Sequence, residues 1–156
     1  MTDRPLELDP NRLFSSDPLQ RAIAVRLYDS IRDLPIVSPH GHTDPSWFAD
    51  NELFPDPARL FIVPDHYVFR MLYSQGVPLE DLGVPRADGG ETEQDPRRIW
   101  HRFAENYHLF RGTPSRGWLD YVFATVFDLK VLLTPDTADH YYDVIEEQLR
   151  TDAFRP

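Results

Sequence analysis

His40 and His42 stand one residue apart in the run Ser38-Pro39-His40-Gly41-His42-Thr43-Asp44-Pro45. Alternate residues of an extended backbone face the same way, so the two imidazoles offer one metal ion a pair of nitrogen ligands. Gly41 between them lacks a Cβ, which lets the backbone approach an ion closely or turn through positive φ. Pro39 biases Ser38 toward extended geometry. With the preceding Leu34-Pro35-Ile36-Val37, this reads as a short buried strand over 34–38 whose carboxyl end carries the histidines. Six histidines in 156 residues also allow a chance surface pair, and that remains the competing explanation.

A second cluster is Asp65-His66-Tyr67 followed by Arg70. His66 and Arg70, four apart, share one face of a helix and together can grip an anionic or hydroxylated ligand. Tyr67 adds a phenol that can carry a proton when a nearby cation lowers its pKa. In the plainer alternative Asp65 caps the helix, Tyr67 and Phe69 pack, and Arg70 is a solvated cation. Arg111-Gly112-Thr113-Pro114-Ser115-Arg116-Gly117-Trp118 reads as a donor-rich loop, either an anion site or a capped turn. His101, His108 and His140 are single histidines on helices, read as packed or surface residues.

The elements that must position these groups are mostly helical. Asp17 and Pro18 open a helix that runs to about Arg32, with Ile23, Leu27 and Ile31 at four-residue intervals. Frequent prolines from Pro45 onward suit the first turns of short helices over 45–50 and 57–62. Residues 64–76 form another helix, stopped by Gly76. Further helices are expected around Ile99 to Tyr107, Trp118 to Leu129 and Thr137 to Thr151. The result is one strand bearing half a metal site, followed by about a hundred residues of helix. A lone strand leaves its own backbone groups unpaired, so its partner sheet is expected beyond this chain.

Composition narrows the chemistry further. Hydrophobic residues make up 41% and charged residues 27%, the balance of a soluble globular unit. A net charge of −10 argues against nucleic acid or an anionic membrane as partner, with Arg97-Arg98 the only local basic pair. The absence of cysteine leaves His, Asp and Glu as the strong ligand set. Neither an apolar leader nor a membrane-length apolar run is seen, so a cytoplasmic protein is expected.

Taken together, Ile36-Val37-Ser38-Pro39-His40-Gly41-His42-Thr43-Asp44-Pro45 and Asp65-His66-Tyr67-Val68-Phe69-Arg70-Met71-Leu72 with Gly76-Val77 resemble the amino-terminal part of uronate (glucuronate) isomerases, a branch of the amidohydrolase superfamily. The run Phe110 to Arg116, with Trp118-Leu119-Asp120, is similar to one subgroup of that family. The resemblance implies a chain that is mostly α by itself and belongs to a metal-dependent (β/α)₈ TIM-like barrel. Residues 1–45 would hold the opening helix and first barrel strand, and residues 46–156 a helical insertion, with the rest of the barrel absent. His40 and His42 would be ligands of a divalent metal, zinc being the first choice. His66 and Tyr67 would be the catalytic pair, with His66 and Arg70 binding substrate. The implied reactions are D-glucuronate to D-fructuronate and D-galacturonate to D-tagaturonate, with a hexuronate as the small-molecule partner and a homo-oligomer compatible with the sequence. A full barrel needs roughly 250 residues, so no appreciable activity is expected of this chain alone. Many members carry Trp-Thr-His-Leu-Glu where this chain has Trp118-Leu119-Asp120-Tyr121-Val122, and no ligand role is assigned there. Two other readings stand beside it: a metal-dependent hydrolase of the same superfamily, and a non-catalytic helical interaction module.

Overall fold

The computed structural model describes residues 4–38, Gly41 and residues 43–156. Seven α-helices follow one another among them: α1 (Pro18–Asp29), α2 (Pro45–Asp50), α3 (Pro57–Phe61), α4 (His66–Ser74), α5 (Pro96–Asn106), α6 (Pro114–Thr125) and α7 (Ala138–Leu149). One local device starts most of them. Asp17, Asp44, Asp56 and Asp95 each precede a proline in the first helical turn and accept backbone N–H bonds from that turn, and Thr113 does the same for α6. Proline has no N–H to leave unpaired there, while the cap oxygen satisfies donors further in. Gly76, at φ +92°, ends α4 as the sequence predicts, with the Val77 N–H donating to the Leu72 carbonyl at 3.1 Å.

Two expectations are corrected. Helix α6 begins at Pro114, inside the stretch read as a loop, because Thr113 and Pro114 form a cap and first turn. The strand expected over 34–38 does not form. The chain turns through Ile31–Leu34 and then runs without regular structure, with Ile36 and Val37 93% and 90% exposed. A strand exists only through a neighbour, and among the described residues no backbone hydrogen bond involves Ile36 or Val37. The β-type pairing found among the described residues is a single antiparallel bridge between Pro5 and Val131. It is flanked by bonds from Leu6 N–H to the Lys130 carbonyl and from Leu132 N–H to the Arg4 carbonyl, both 2.8 Å.

The core is aromatic and lies between α3, α5, α6 and α7. Phe123 of α6 sits at its centre, fully buried, with ring centroids 5.7 Å from Phe61, 6.1 Å from Trp100 and 5.2 Å from Tyr141. Edge-to-face rings at such separations gain from quadrupole alignment as well as from burial. Their polar tips are satisfied: Trp100 Nε1 donates to the Ala138 carbonyl (3.0 Å), Tyr141 to the Val131 carbonyl (2.6 Å) and Tyr107 to Asp120 (2.8 Å). Gly83 permits one close approach. At φ +71°, a Cβ there would lie 2.6 Å from Ile99 Cδ1 and 3.2 Å from the Glu93 carbonyl oxygen.

Burial is distributed unevenly along the chain. No described residue from Glu7 to Pro55 is buried, whereas Leu6 and the residues from Asp56 onward supply the whole core. Helix α1 forms as its periodicity predicts and buries none of its apolar residues.

Candidate functional site

Asp65 determines how the second motif is displayed. It caps α4, with Oδ1 accepting from the backbone of Tyr67 (2.8 Å) and Val68 (3.3 Å), so His66 and Tyr67 form the first turn of the helix. Val68 and Leu72 turn inward and are buried, which leaves the start of α4 facing a cavity of about 460 Å³. Thr43, Trp47, Leu60, Pro64, Asp65, His66, Tyr67 and Trp118 line it. The rings of His66 and Tyr67 lie 4.2 Å apart, tilted by 35°. Tyr67 is 55% exposed. An imidazole and a phenol side by side on a cavity wall that two tryptophans also line can hydrogen-bond a polyhydroxylated molecule while an aromatic ring packs against its C–H surface.

Asp65 caps α4 as the plainer alternative foresees, and His66 and Tyr67 both line the cavity. Arg70 lies one turn further along α4, exposed, and is not among the residues lining this cavity. His40 and His42 lie outside the described residues. Thr43, the next residue in the chain, lines the same cavity as His66 and Tyr67. Among the described residues, no group of three or more His, Asp or Glu is placed to hold a metal ion.

Two tryptophans of the cavity wall escaped the sequence reading. Trp118 is 63% exposed although it follows the α6 cap in an aromatic-rich helix. Leu119 and Phe123, four apart, mark the buried face of α6, and Trp118 stands off it. A large aromatic off the buried stripe is the signal that could have singled it out. Trp47 packs edge-on against Phe54, 5.0 Å between centroids.

The remaining candidates resolve as structure. Arg97 bonds Asp139 (2.8 Å) and Asp143 (2.6 Å), and Arg98 bonds Asp95 (3.1 Å) and Glu93 (3.3 Å), so the one basic pair is neutralised by acids. Hydrogen bonds from His101, then from Arg97, hold the Asp139 carboxyl below its ordinary pKa. In the stretch 111–118, Arg116 donates to Asp120 (2.7 Å) and lies over the Tyr107 ring (4.0 Å), and Thr113 caps α6. That is the capped turn. Burial, with Asp120 next in effect, raises the Tyr107 pKa. Among the described residues, no helix is long and apolar enough to cross a membrane.

Comparison with known proteins places this geometry in context. The family model for glucuronate isomerase matches residues 13–156. The chain is 61% identical over 153 residues to uronate isomerase of Sphingopyxis alaskensis, a match covering 98% of this chain and 32% of that one. It is 58% identical over 156 residues to uronate isomerase of Xanthomonas euvesicatoria pv. vesicatoria, covering 100% of this chain and 33% of the relative. The crystal structure of glucuronate isomerase from Caulobacter crescentus superposes with a TM-score of 0.92 at 54% identity, over 98% of this chain and 32% of that one. Uronate isomerase from Thermotoga maritima does so with a TM-score of 0.75 at 25% identity, over 92% and 29%. The chain therefore spans about a third of the length of the relatives it matches.

Proposed function

The chain belongs to the glucuronate isomerase family, and we propose that it forms the amino-terminal part of a uronate isomerase. In this reading Leu34–Ser38 is the first strand of a metal-dependent (β/α)₈ barrel and residues 46–156 are a helical insertion. The substrates are D-glucuronate and D-galacturonate, and the setting is the cytoplasm. The observation that carries the reading is the cavity where Thr43, His66 and Tyr67 meet, in a chain 61% identical to a uronate isomerase.

Aldose–ketose isomerisation moves a proton between adjacent carbons through an enediol. Tyr67, which lines the cavity, is proposed to give or take that proton. His66 is proposed to hydrogen-bond a sugar hydroxyl or the carboxylate. Arg70, on the same helix but off this cavity wall, would attract the carboxylate from one turn away. Asp65 keeps all three in register by capping α4.

His40 and His42 have donor chemistry suited to zinc or a similar divalent ion, but two imidazoles fall short of the three or four protein ligands such a site draws. The described residues add no metal-holding cluster, so the other ligands are assigned to the part of the fold this chain does not span. A bound ion would supply positive charge to a developing oxyanion. Family membership favours this isomerase reading over both the hydrolase and the free-standing helical module.

The test is a chimera in which this chain replaces the matched third of the Caulobacter crescentus enzyme. It should isomerise D-glucuronate, while the 156-residue chain alone should show no appreciable turnover. In the chimera, Tyr67→Phe should lower kcat by about 10²- to 10⁴-fold with little change in KM. A Tyr67→Phe chimera with undiminished turnover removes the acid/base assignment. A folded chimera with no uronate turnover removes the reading as a whole.

A further inference from the structure

The cavity at the start of α4 has two unlike walls. Asp65, His66 and Tyr67 line one side with polar groups, while Trp47, Leu60, Pro64 and Trp118 bring apolar surface from α2, α3, the turn that follows it and α6. The three tryptophans of the chain differ in their surroundings. Trp100 is fully buried among Phe103, Phe123 and Tyr142, Trp47 leans edge-on against Phe54, and Trp118 is 63% exposed on the cavity wall. The turn that carries Trp118 is clamped on both sides. Arg116, two residues before it, donates Nε–H to Asp120 (2.7 Å) and Nη1–H to the Tyr107 carbonyl (3.2 Å), with its guanidinium 4.0 Å from the centre of the Tyr107 ring. Asp120, two residues after it, also accepts from the Tyr107 hydroxyl at 2.8 Å. Both side chains of the Arg116–Asp120 pair are only 20% exposed, so water screens the pair less than it does an ion pair on the open surface. Leu119 and Phe123 seat the same helix in the core. An indole is thus carried to the cavity on a stretch of backbone held from three directions, the support that a binding group needs.

We propose that Trp118 is a substrate-binding residue, its indole packing against the C–H face of the hexuronate away from the two reacting carbons, and that Arg116, Asp120 and Tyr107 are the positioning residues that hold it there. The proposal rests on the functional reading above and names the group that supplies the apolar half of recognition. A sugar carries its hydroxyls at the edge and its C–H bonds on the faces. The negative face of an indole attracts those weakly positive hydrogens, while the polar wall of His66 and Tyr67 takes the oxygens at the edge. A contact with carbons that do not react is the same before and during proton transfer, so it adds to affinity and leaves the barrier of the bound substrate unchanged. Trp118 therefore acts on KM and Tyr67 on kcat, two opposite kinetic signatures from two walls of one cavity.

The test uses the chimera with the Caulobacter crescentus enzyme. Trp118→Leu keeps apolar bulk and loses the aromatic face, and it should raise KM for D-glucuronate about tenfold while kcat changes less than about twofold. Trp118→Phe restores an aromatic face and should recover most of the affinity. A tryptophan with a purely structural role would instead lower the amount of folded enzyme, seen as a lower apparent kcat at unchanged KM. An unchanged KM in Trp118→Leu, a fall in kcat alone, or the same rise in KM for the leucine and phenylalanine variants overturns the proposal. A second readout stands in for a leucine variant that does not fold: acrylamide quenching of tryptophan fluorescence, with and without D-glucuronate brought to its isomerisation equilibrium. The sugar should shield the parent chimera from the quencher more than it shields Trp118→Phe, and equal shielding overturns the proposal. A parent chimera without turnover removes the functional reading and this proposal with it, whereas an active parent whose Trp118 variants match it removes the role of Trp118 alone.

Discussion

Helices α1 and α5 are twelve and eleven residues long and both open with an Asp-Pro cap whose carboxylate accepts two backbone N–H bonds. Helix α5 buries Ile99, Trp100, Phe103 and Ala104, while α1 buries nothing. Equal local signals therefore lead to opposite burial. A cap and a hydrophobic period are instructions read within one turn of the chain, so they specify that a helix forms and which way its apolar stripe faces. Whether that stripe is covered depends on polypeptide elsewhere, and most of a helix's stability in a protein comes from such cover. The helical body from Asp56 onward carries its own cover and the stretch from Glu7 to Pro55 does not.

The sharpest way to break this contrast is to cut into both regions equally. Phe123→Ala should cost the body about 3–5 kcal/mol, because the ring is fully buried among Phe61, Trp100 and Tyr141. Ile23→Ala in α1 should change stability by no more than about 0.5 kcal/mol in the isolated chain. Urea unfolding followed by near-ultraviolet circular dichroism measures both, and comparable losses would mean that α1 is part of the body after all.

Alkaline pH should act on the body alone. Burial is the first cause that raises the pKa of Tyr107, Tyr141 and Tyr142, the last to about 12. All three lie in the body. A raised folded-state pKa contributes stability that is complete below the unfolded value of about 10 and is lost as pH rises past it. The thermal midpoint should thus hold up to about pH 10 and then fall, with buried phenolate absorbance appearing only as tertiary structure is lost. Phenolate formation by these three well before unfolding would contradict their burial.

The smallest effect sharpens the comparison from the other side. Asp17→Ala removes the acceptor for Leu19 and Gln20 N–H at 2.9 Å and should cost α1 about 1 kcal/mol. Far-ultraviolet helicity should drop slightly with no shift in the body's melting. A joint loss would show coupling that the burial pattern does not contain.

The same division explains what could be read from the sequence. Asp17-Pro18, Pro45, Pro57 and Gly76 are short-range marks, and the helices they open or close are where the sequence predicts. The start of α6 was misplaced because Arg111–Trp118 carries both turn chemistry and a Thr-Pro cap, and only the cap extends into a helix. The strand expected at 34–38 does not form, since pairing is a property of two segments and no backbone hydrogen bond joins Ile36 or Val37 to a second one among the described residues. At the candidate site, Asp65-His66-Tyr67 with Arg70 stands out in the sequence because His66 and Arg70 are four apart on one helix, yet only His66 and Tyr67 line the cavity with Asp65. Trp47 and Trp118 do not stand out, because a tryptophan that lines a cavity and one that fills a core look alike until its neighbours are placed.

The short pairing of Arg4–Leu6 with Lys130–Leu132 has a further consequence in the statistics of the chain. It closes the stretch up to Trp47 into a loop of about forty residues, a restriction whose entropic cost is on the order of 3 kcal/mol. The aromatic core bears that cost through the seat of Leu6. Loosening Leu6 alone would release the loop into a much larger ensemble while every helix of the body stayed folded.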